Sequence, residues 1–159
     1  MRRSKVSNRS AAHGTFVIER DYPASPAQVF AAWADLDAKS QWFGPDSGGD
    51  AHTLEFREGG REHFEAAVGG DLYHYDALYE DIVGDERIVY TYNMHRGEQR
   101  LSVSVSTVEL APAGEGTHLR YTEQGVFLDG ADTVDAREHG TRELLEKLAG
   151  ALAQGAVAR

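Results

Sequence analysis

The stretch "DYPASPAQVFAAWADLDAKSQWFGP", residues 21–45, decides the fold. A strand-like run ends at Tyr22-Pro23, and Ser25-Pro26 is typical of the first turn of a helix. Asp35 is placed to cap a second short helical segment, which ends at Gly44-Pro45. Helices this short are not stable alone in water. Their aromatic side chains must therefore pack against a larger part of the chain.

The sequence beyond residue 51 alternates between apolar and polar residues, which predicts β-strands. Glycine pairs and short polar runs separate the segments and favour tight antiparallel turns. The predicted strands cover residues 15–22, 52–58, 61–68, 71–83, 87–95, 99–110 and 117–127. An antiparallel sheet of this kind has one face that must be covered by another element.

The C-terminal segment, residues 131–153, predicts one long helix with an apolar stripe. The stripe contains Val134, Thr141, Leu144, Leu145, Leu148 and Leu152. Arg137 lies at its edge, and His139 lies nearly opposite and is expected to face water. The expected fold class is therefore α+β. A curved antiparallel sheet of six to seven strands wraps around the C-terminal helix, and the two short helices after the first strand close one end.

The length and charge of the chain restrict its organisation and partners. Its 159 residues fit one domain, which we place at 14–154 between disordered tails at 1–13 and 155–159. The basic N-terminus is not followed by an apolar stretch, so no secretory signal is predicted. A net charge of −10 argues against binding to nucleic acid or anionic membranes. No apolar run approaches the ~18 residues of a membrane span, and the absence of cysteine favours a cytoplasmic location.

Six short motifs follow one another in a characteristic order. They are Pro26-x-x-Val29-Phe30-x-Ala32-Trp33, Trp42-Phe43-Gly44-Pro45, FREGGREHF at 56–64, RIVYTYNM at 87–94, GTHLRYTEQGV at 116–126 and LLEKLAGAL at 144–152. The likeness that these motifs mark covers residues 14–154. In their order and spacing the chain resembles the helix-grip superfamily, which includes START lipid-binding domains, polyketide cyclases and the birch-pollen allergen. Within it, the chain is most similar to homologues of the activator of heat-shock protein 90 ATPase.

The resemblance implies a cavity between sheet and helix, which in many relatives holds an apolar ligand. It does not imply one function, because the superfamily includes carriers, cyclases and chaperone accessories. Relatives often have His at the position of Glu123, His near Arg137 and Trp at Thr141. Because this chain departs from its relatives at these three positions, its pocket is expected to differ from theirs in size and charge.

Large side chains on the predicted inner faces are candidates for a ligand-binding pocket; the alternative is plain core packing. The tyrosines among them favour a partly polar interior, because a buried phenol needs a hydrogen-bond partner. The candidates are Trp33, Trp42, Phe43, Phe56, Phe64, Tyr75, Tyr79, Tyr90, Tyr92, Met94, Leu101, Val103, Tyr121, Glu123, Arg137, Thr141 and Leu145. Val105 and Leu119 are expected on the same inner face.

Glu123 continues the inward series of Leu119 and Tyr121. A lone buried carboxyl group has a raised pKa and needs a partner. The hypothesis is that Arg137 pairs with Glu123 at the mouth of the cavity. The alternative is that Glu123 lies in a solvated turn at the end of its strand.

Glu62 and the histidines allow more than one interpretation. Glu62 shares a face with Phe64, so it is either a second cavity carboxylate or a sign that the strand register shifts at Gly59-Gly60. The seven histidines lie on different elements without the i, i+4 spacing of a helical zinc site. No metal, cofactor or catalytic residue is predicted, although His63 and His74 could pair across two strands.

The favoured function is a soluble domain that binds a small apolar or amphipathic molecule in the cavity; the chain could form a homodimer. One alternative is a cyclase or dehydratase that uses Glu123 and a tyrosine as acid and base on an aromatic polyketide-like substrate. Another is a regulator of a chaperone ATPase that acts through its surface. A cavity of about 300 Å³ or more would favour a ligand, whereas a solidly packed interior would favour the surface role.

Overall fold

Seven antiparallel strands form one sheet in the computed structural model, which describes residues 8–155. The strands are β1 (Ala11–Tyr22), β2 (Ala51–Leu54), β3 (Arg61–Val68), β4 (Asp71–Val83), β5 (Arg87–Arg96), β6 (Gln99–Ala113) and β7 (Gly116–Leu128). Their order in the sheet is β1-β7-β6-β5-β4-β3-β2. The first strand thus pairs with the last, which leaves β1 and the short β2 at the two edges.

Two short helices connect β1 to β2, as the capping residues predict. Helix α1 (Pro26–Ala34) begins with a capping box, in which Ser25 Oγ accepts from Gln28 N at 3.2 Å and the Gln28 side chain accepts from Ser25 N at 3.0 Å. Helix α2 (Leu36–Lys39) begins at Asp35, whose side chain accepts from Ala38 N at 3.0 Å. Trp42 follows the end of α2 in a turn.

The long helix α3 (Val134–Ala153) packs on the inner face of the sheet. It begins three residues later than predicted, because Thr133 Oγ1 accepts from Ala136 N at 3.1 Å and caps the first turn. Thr141, Leu145 and Leu148 are buried on the predicted stripe. The His139 side chain is 77% exposed, which confirms its predicted orientation. None of the described helices is long and apolar enough to span a membrane.

Several predicted strand boundaries change, and the largest differences are at the start of β1 and the end of β2. The predicted N-terminal tail covers residues 1–13, but β1 begins at Ala11 because it pairs with β7 as far as Leu128. Residues 1–7 and 156–159, which belong to the predicted tails, lie outside the described residues. The predicted strand 52–58 is shorter, since β2 ends at Leu54 and the chain turns back through Gly60, where any side chain would collide with the Glu55 carbonyl.

The inner face of β6 carries serines, and the predicted inward orientation of Val103 and Val105 is wrong. Ser102, Ser104 and Ser106 are buried. Each lies directly opposite an inward-facing residue of β5, namely Met94, Tyr92 and Tyr90. Because side chains alternate along a strand, the valines between these serines face the outer surface. Small serines leave room for the aromatic rings, and that requirement outweighs the preference for apolar residues inside.

Candidate functional site

A cavity of about 310 Å³ lies between the sheet, α3 and the turn after α2. Eleven of the predicted pocket residues line it: Trp33, Trp42, Phe43, Tyr75, Tyr90, Tyr92, Met94, Tyr121, Arg137, Thr141 and Leu145. The cavity reaches the surface beside Ala136, an exposed residue in the first turn of α3. Rings of tyrosine and tryptophan thus surround a space that a small molecule could enter.

A second cavity of about 230 Å³ adjoins the first. The two share the side chains of Phe43, Tyr75, Met94 and Leu144, and the second is also lined by Phe64. Phe64 is one of the predicted pocket residues, and the structure places it at this second cavity. Among the described residues that line the second cavity, none is charged.

The other five predicted pocket residues lie elsewhere. Phe56 packs edge-on against Phe30 and Tyr79, with ring centroids 5.5 and 5.0 Å apart. Leu101 is buried at a β-bulge between β5 and β6, away from the cavities. Val103 faces the outer surface, as described above. The remaining two, Tyr79 and Glu123, belong to buried polar clusters behind the cavity wall.

Six lining residues were not predicted: Gly44, Pro45, Asp132, Ala136, Gly140 and Leu144. Ala136, Gly140 and Leu144 follow the i, i+4 spacing of one helix face. The helical spacing in the sequence could therefore have identified them, because they lie beside Arg137 and Thr141 on the predicted helix. Small residues at 136 and 140 leave the opening between helix and sheet.

Arg137 and Glu123 form the predicted pair. Arg137 Nη1 lies 3.6 Å from Glu123 Oε2, and the residues are 9% and 1% exposed. The alternative in which Glu123 is solvated at a strand end is therefore wrong. The guanidinium also donates to Tyr92 Oη at 2.7 Å, to Ser102 Oγ at 2.8 Å and to Asp132 Oδ2 at 2.8 Å. Glu123 is thus part of a network rather than a lone buried acid.

Both oxygens of Glu123 are occupied by phenols. Tyr92 donates to Oε2 at 2.7 Å and Tyr121 donates to Oε1 at 2.6 Å. Because the Tyr121 hydroxyl donates its hydrogen bond to Glu123, Ser106 Oγ is the donor in the 2.8 Å contact between Ser106 and the Tyr121 hydroxyl. Burial, together with the nearby Glu123, raises the pKa of Tyr92 well above its usual value. The phenols therefore remain protonated donors at neutral pH.

A second buried cluster surrounds Glu62. Lys39 Nζ lies 2.6 Å from Glu62 Oε1, which also accepts from the Tyr79 hydroxyl at 2.6 Å. His52 Nε2 lies 2.7 Å from Glu62 Oε2. Burial alone would raise the pKa of Glu62, but Lys39 and the hydrogen bonds from His52, Lys39 and Tyr79 lower it to about 2. The carboxylate is therefore held in its charged form inside the protein.

The position of Glu62 decides between its two interpretations. Strands β2 and β3, on the two sides of Gly59-Gly60, pair without interruption from Ala51 opposite Glu65 to Leu54 opposite Glu62, and Glu62 is buried. The predicted register shift at Gly59-Gly60 is therefore wrong, and Glu62 faces inward. Its charge is compensated by Lys39, so it is not a free cavity carboxylate. Lys39 itself was not predicted, because a lysine on a short amphipathic helix usually faces water.

Two side chains of the cavity wall have a polar atom without a hydrogen-bond partner among the described residues. They are the indole Nε1 of Trp33 and the hydroxyl of Tyr75, both buried. A buried polar group left unpaired costs about 1–3 kcal/mol. A bound molecule that carries a hydrogen-bond acceptor could supply the missing partner to either group.

The charges of the residues that line the cavity nearly cancel. Arg137 and Asp132 are the charged residues that line it, and they form an ion pair at 2.8 Å. Glu123, behind the wall, adds a second negative charge near the guanidinium. Burial works against the charge of Arg137, but Tyr92, Glu123 and Asp132 raise its pKa above its usual value. The cation is thus satisfied by groups of the protein and has no excess charge to offer an anion.

The sequence pattern of the family described as Activator of Hsp90 ATPase homolog 1-like protein matches residues 23–153. The chain belongs to this family. The sequence-based assignment of family and fold is therefore confirmed, with a curved antiparallel sheet packed on a C-terminal helix. The comparison with curated proteins found no match to this chain.

Solved structures of similar chains agree with membership of the Activator of Hsp90 ATPase homolog 1-like family. An uncharacterised protein from Rhizobium leguminosarum is 44% identical, with a TM-score of 0.88 over 92% of this chain and 98% of that chain. A protein from Rhizobium loti is 48% identical, with a TM-score of 0.84 over 89% of this chain and 99% of that chain.

A third structure shares only the fold of this family. It is a protein of the dynemicin biosynthetic locus, 18% identical, with a TM-score of 0.64 over 89% of this chain and 48% of that chain.

Proposed function

We propose that the cavity binds a small, uncharged, amphipathic molecule with an apolar body and at least one hydrogen-bond acceptor. The observation that carries this proposal is the pair of unpartnered polar groups, Trp33 Nε1 and the Tyr75 hydroxyl, on the wall of a largely apolar cavity. The indole N–H can only donate and the phenol can donate. A carbonyl or ether oxygen is the chemistry that both groups lack.

The size of the cavity supports a ligand role. Its volume of about 310 Å³ lies at the lower end of small-molecule sites, which span about 300–1,000 Å³. The adjoining cavity of about 230 Å³ has an apolar wall that includes Phe64, Ala66 and Val68. An apolar chain or ring could extend from the first cavity into the second, past Phe43 and Tyr75.

The charges of the site favour a neutral ligand over a carboxylate or sulfonate. Arg137 has Asp132 and Glu123 close by, so a bound anion would have to displace one of them or remain near two negative groups. A buried charge without a partner is costly. Fatty-acid-like anions are therefore expected to bind more weakly than neutral compounds of the same shape.

The enzyme alternative has less support from the same contacts. Glu123 was the candidate base, but it does not line the cavity and both of its oxygens accept from phenols. A general base must lie within hydrogen-bond reach of the proton that it removes. The surface role in chaperone regulation has no specific contact in its favour among residues 8–155.

The test compares two dyes of similar shape and different charge. Neutral N-phenyl-1-naphthylamine is expected to bind with a fluorescence increase, and anionic 1-anilinonaphthalene-8-sulfonate at least tenfold more weakly. Thr141→Trp should abolish binding of the neutral dye, because Thr141 lines the cavity and an indole would fill it. Glu143→Trp is the matched control, since the Glu143 side chain is 67% exposed on the same helix. Equal loss in both variants, or tighter binding of the anion, would contradict the proposal.

A second variant tests the hydrogen bond. Tyr75→Phe removes the unpartnered hydroxyl and keeps the ring. It should weaken binding of a ketone-bearing ligand such as 1-acetonaphthone several-fold, while affinity for naphthalene stays unchanged. Native mass spectrometry of the protein purified from its host would identify a co-purified ligand directly.

A further inference from the structure

Two histidines and two carboxylates meet on the outer face of the sheet, away from the cavities. His63 and Glu65 lie two residues apart on β3 and therefore on one face. On β4, Asp76 lies directly opposite His63, and His74 lies directly opposite Glu65. Each histidine thus faces a carboxylate across the strand pair, and the uninterrupted register fixes the square of four side chains.

We propose that His63, Glu65 and His74 form a binding site for a first-row divalent metal ion, with zinc as the expected occupant. One ligand atom from each residue lies within 4.8 Å of the others. His63 Nε2 is 2.9 Å and His74 Nδ1 is 3.3 Å from the same oxygen, Glu65 Oε1. In a tetrahedral zinc site with bonds near 2.0–2.1 Å, neighbouring ligand atoms are about 3.3 Å apart. The two imidazole nitrogens already lie near this distance from Glu65 Oε1.

Asp76 completes the arrangement from behind. Its Oδ1 lies 2.6 Å from His63 Nδ1, on the side of the ring away from Glu65. A carboxylate that accepts from Nδ1–H fixes the ring orientation and leaves Nε2 free to bind a metal, which is the usual second-sphere partner of a metal-ligating histidine. The position of Asp76 therefore does more than provide another negative charge.

The three side chains are partly sheltered and yet accessible. His63, Glu65 and His74 are 35%, 30% and 26% exposed. The strand pair holds them in place, so little ordering is needed on binding, and solvent can supply the remaining ligand. Two imidazoles and one carboxylate suit zinc, cobalt or nickel, whereas magnesium and calcium prefer oxygen ligands alone.

Another histidine of the outer surface provides the contrast. His118 lies 2.8 Å from Asp21 and 3.0 Å from Glu19, so it also has a carboxylate at each ring nitrogen. Among the described residues, the side chains that lie close enough together to share a metal ion are His63, Glu65 and His74, and His118 is not one of them. His118 therefore makes the same ion pairs as His63 without the second imidazole that a metal site needs.

The test is zinc titration of the full chain by calorimetry, with cobalt absorption spectra to report tetrahedral coordination. One zinc ion per chain is expected at micromolar affinity, with a rise in melting temperature that grows with zinc concentration. His63→Gln and His74→Gln should each abolish this binding, and Asp76→Asn should weaken it about 10–100-fold. His118→Gln should bind zinc like the unaltered chain.

NMR of the unaltered chain provides a readout that does not depend on how the variants fold. Zinc should shift the ring signals of His63 and His74 and leave that of His118 in place. Absence of binding below millimolar zinc, equal loss in His118→Gln, or zinc-induced shifts confined to other histidines would each overturn the proposal.

Discussion

Lys39 Nζ lies 2.6 Å from Glu62 Oε1, and neither side chain has any surface exposed to solvent. The ammonium group also lies 4.6 Å from the centre of the Phe43 ring and 3.3 Å from the Tyr79 hydroxyl. The pair joins α2 to β3, so the turn that lines the cavity is held to the sheet by two charges. A buried charge that loses its oppositely charged partner is strongly destabilising, even though His52 and Tyr79 also form hydrogen bonds with Glu62.

Removal of Lys39 alone should therefore destabilise the protein strongly. Lys39→Met leaves a buried carboxylate without its cation, and we expect a loss of about 3–5 kcal/mol in the free energy of unfolding. Urea denaturation measures it. Arg142→Met is the control, because the Arg142–Glu138 pair at 2.8 Å is partly exposed on one helix and should cost no more than about 0.5 kcal/mol. A similar small loss in Lys39→Met would show that the buried pair contributes little.

The same cluster should make stability depend on acid pH. The pKa of Glu62 is about 2 in the folded protein and near 4.3 in an unfolded chain. The ionised Glu62 contributes its full stabilisation at a pH above its pKa in the unfolded chain. This stabilisation is lost as the pH falls towards its pKa in the folded protein.

The stability difference between the unaltered chain and Glu62→Gln should therefore shrink by about 1.4 kcal/mol per pH unit below pH 4. Urea unfolding of both proteins between pH 6 and pH 3 checks this. A difference that stays constant over this range would contradict the lowered pKa.

The Glu123–Arg137 pair should show energetic coupling. Arg137→Met leaves Glu123 buried with fewer partners, and Glu123→Gln should restore part of the lost stability in the double variant. We expect a coupling energy of about 0.5–3 kcal/mol in a double-mutant cycle. If the two effects add within about 0.5 kcal/mol, the 3.6 Å contact has no energetic role.

Gly60 should not tolerate a side chain. A Cβ atom at this position would collide with the backbone carbonyl of Glu55, which cannot move without breaking the turn after β2. Gly60→Ala should cost roughly 1–3 kcal/mol. A Cβ atom at Gly84 would have no other atom within 4 Å, so Gly84→Ala should change stability by about 0.5 kcal/mol or less. Thermal unfolding of the two variants compares them directly, and equal losses would mean that the collision is relieved at little cost.

The fold was predictable because several local signals agree. Ser25-Pro26 and Asp35 mark the starts of the short helices, and alternation marks most strands. The same alternation correctly predicts that Glu123 lies inside, because β7 pairs with both neighbours without a shift. The helical period of α3 likewise predicts that Arg137 lies at the edge of the apolar stripe, where it can reach Glu123.

The failures have a common physical origin in contacts between distant segments. Val103 is predicted inside because apolar residues usually are, but the space on that face is needed by tyrosine rings and by Arg137. A β-bulge after Met94 also changes the pairing of β5 with β6. Lys39 lies 23 residues before Glu62, and no periodicity connects a residue of α2 with one of β3. The cross-strand pairing of His63 with His74 was foreseen as possible, but the carboxylates that they face depend on the register between β3 and β4.

Arg137 also connects the first turns of α3 to the sheet, and it lines the cavity next to Ala136. Farther along, Leu145 and Leu148 anchor the helix by close packing. We expect passage of a larger guest molecule to require that the guanidinium release Tyr92 and Ser102. Residence time in the cavity would then follow the lifetime of those two bonds, and stopped-flow release of a fluorescent guest would measure it.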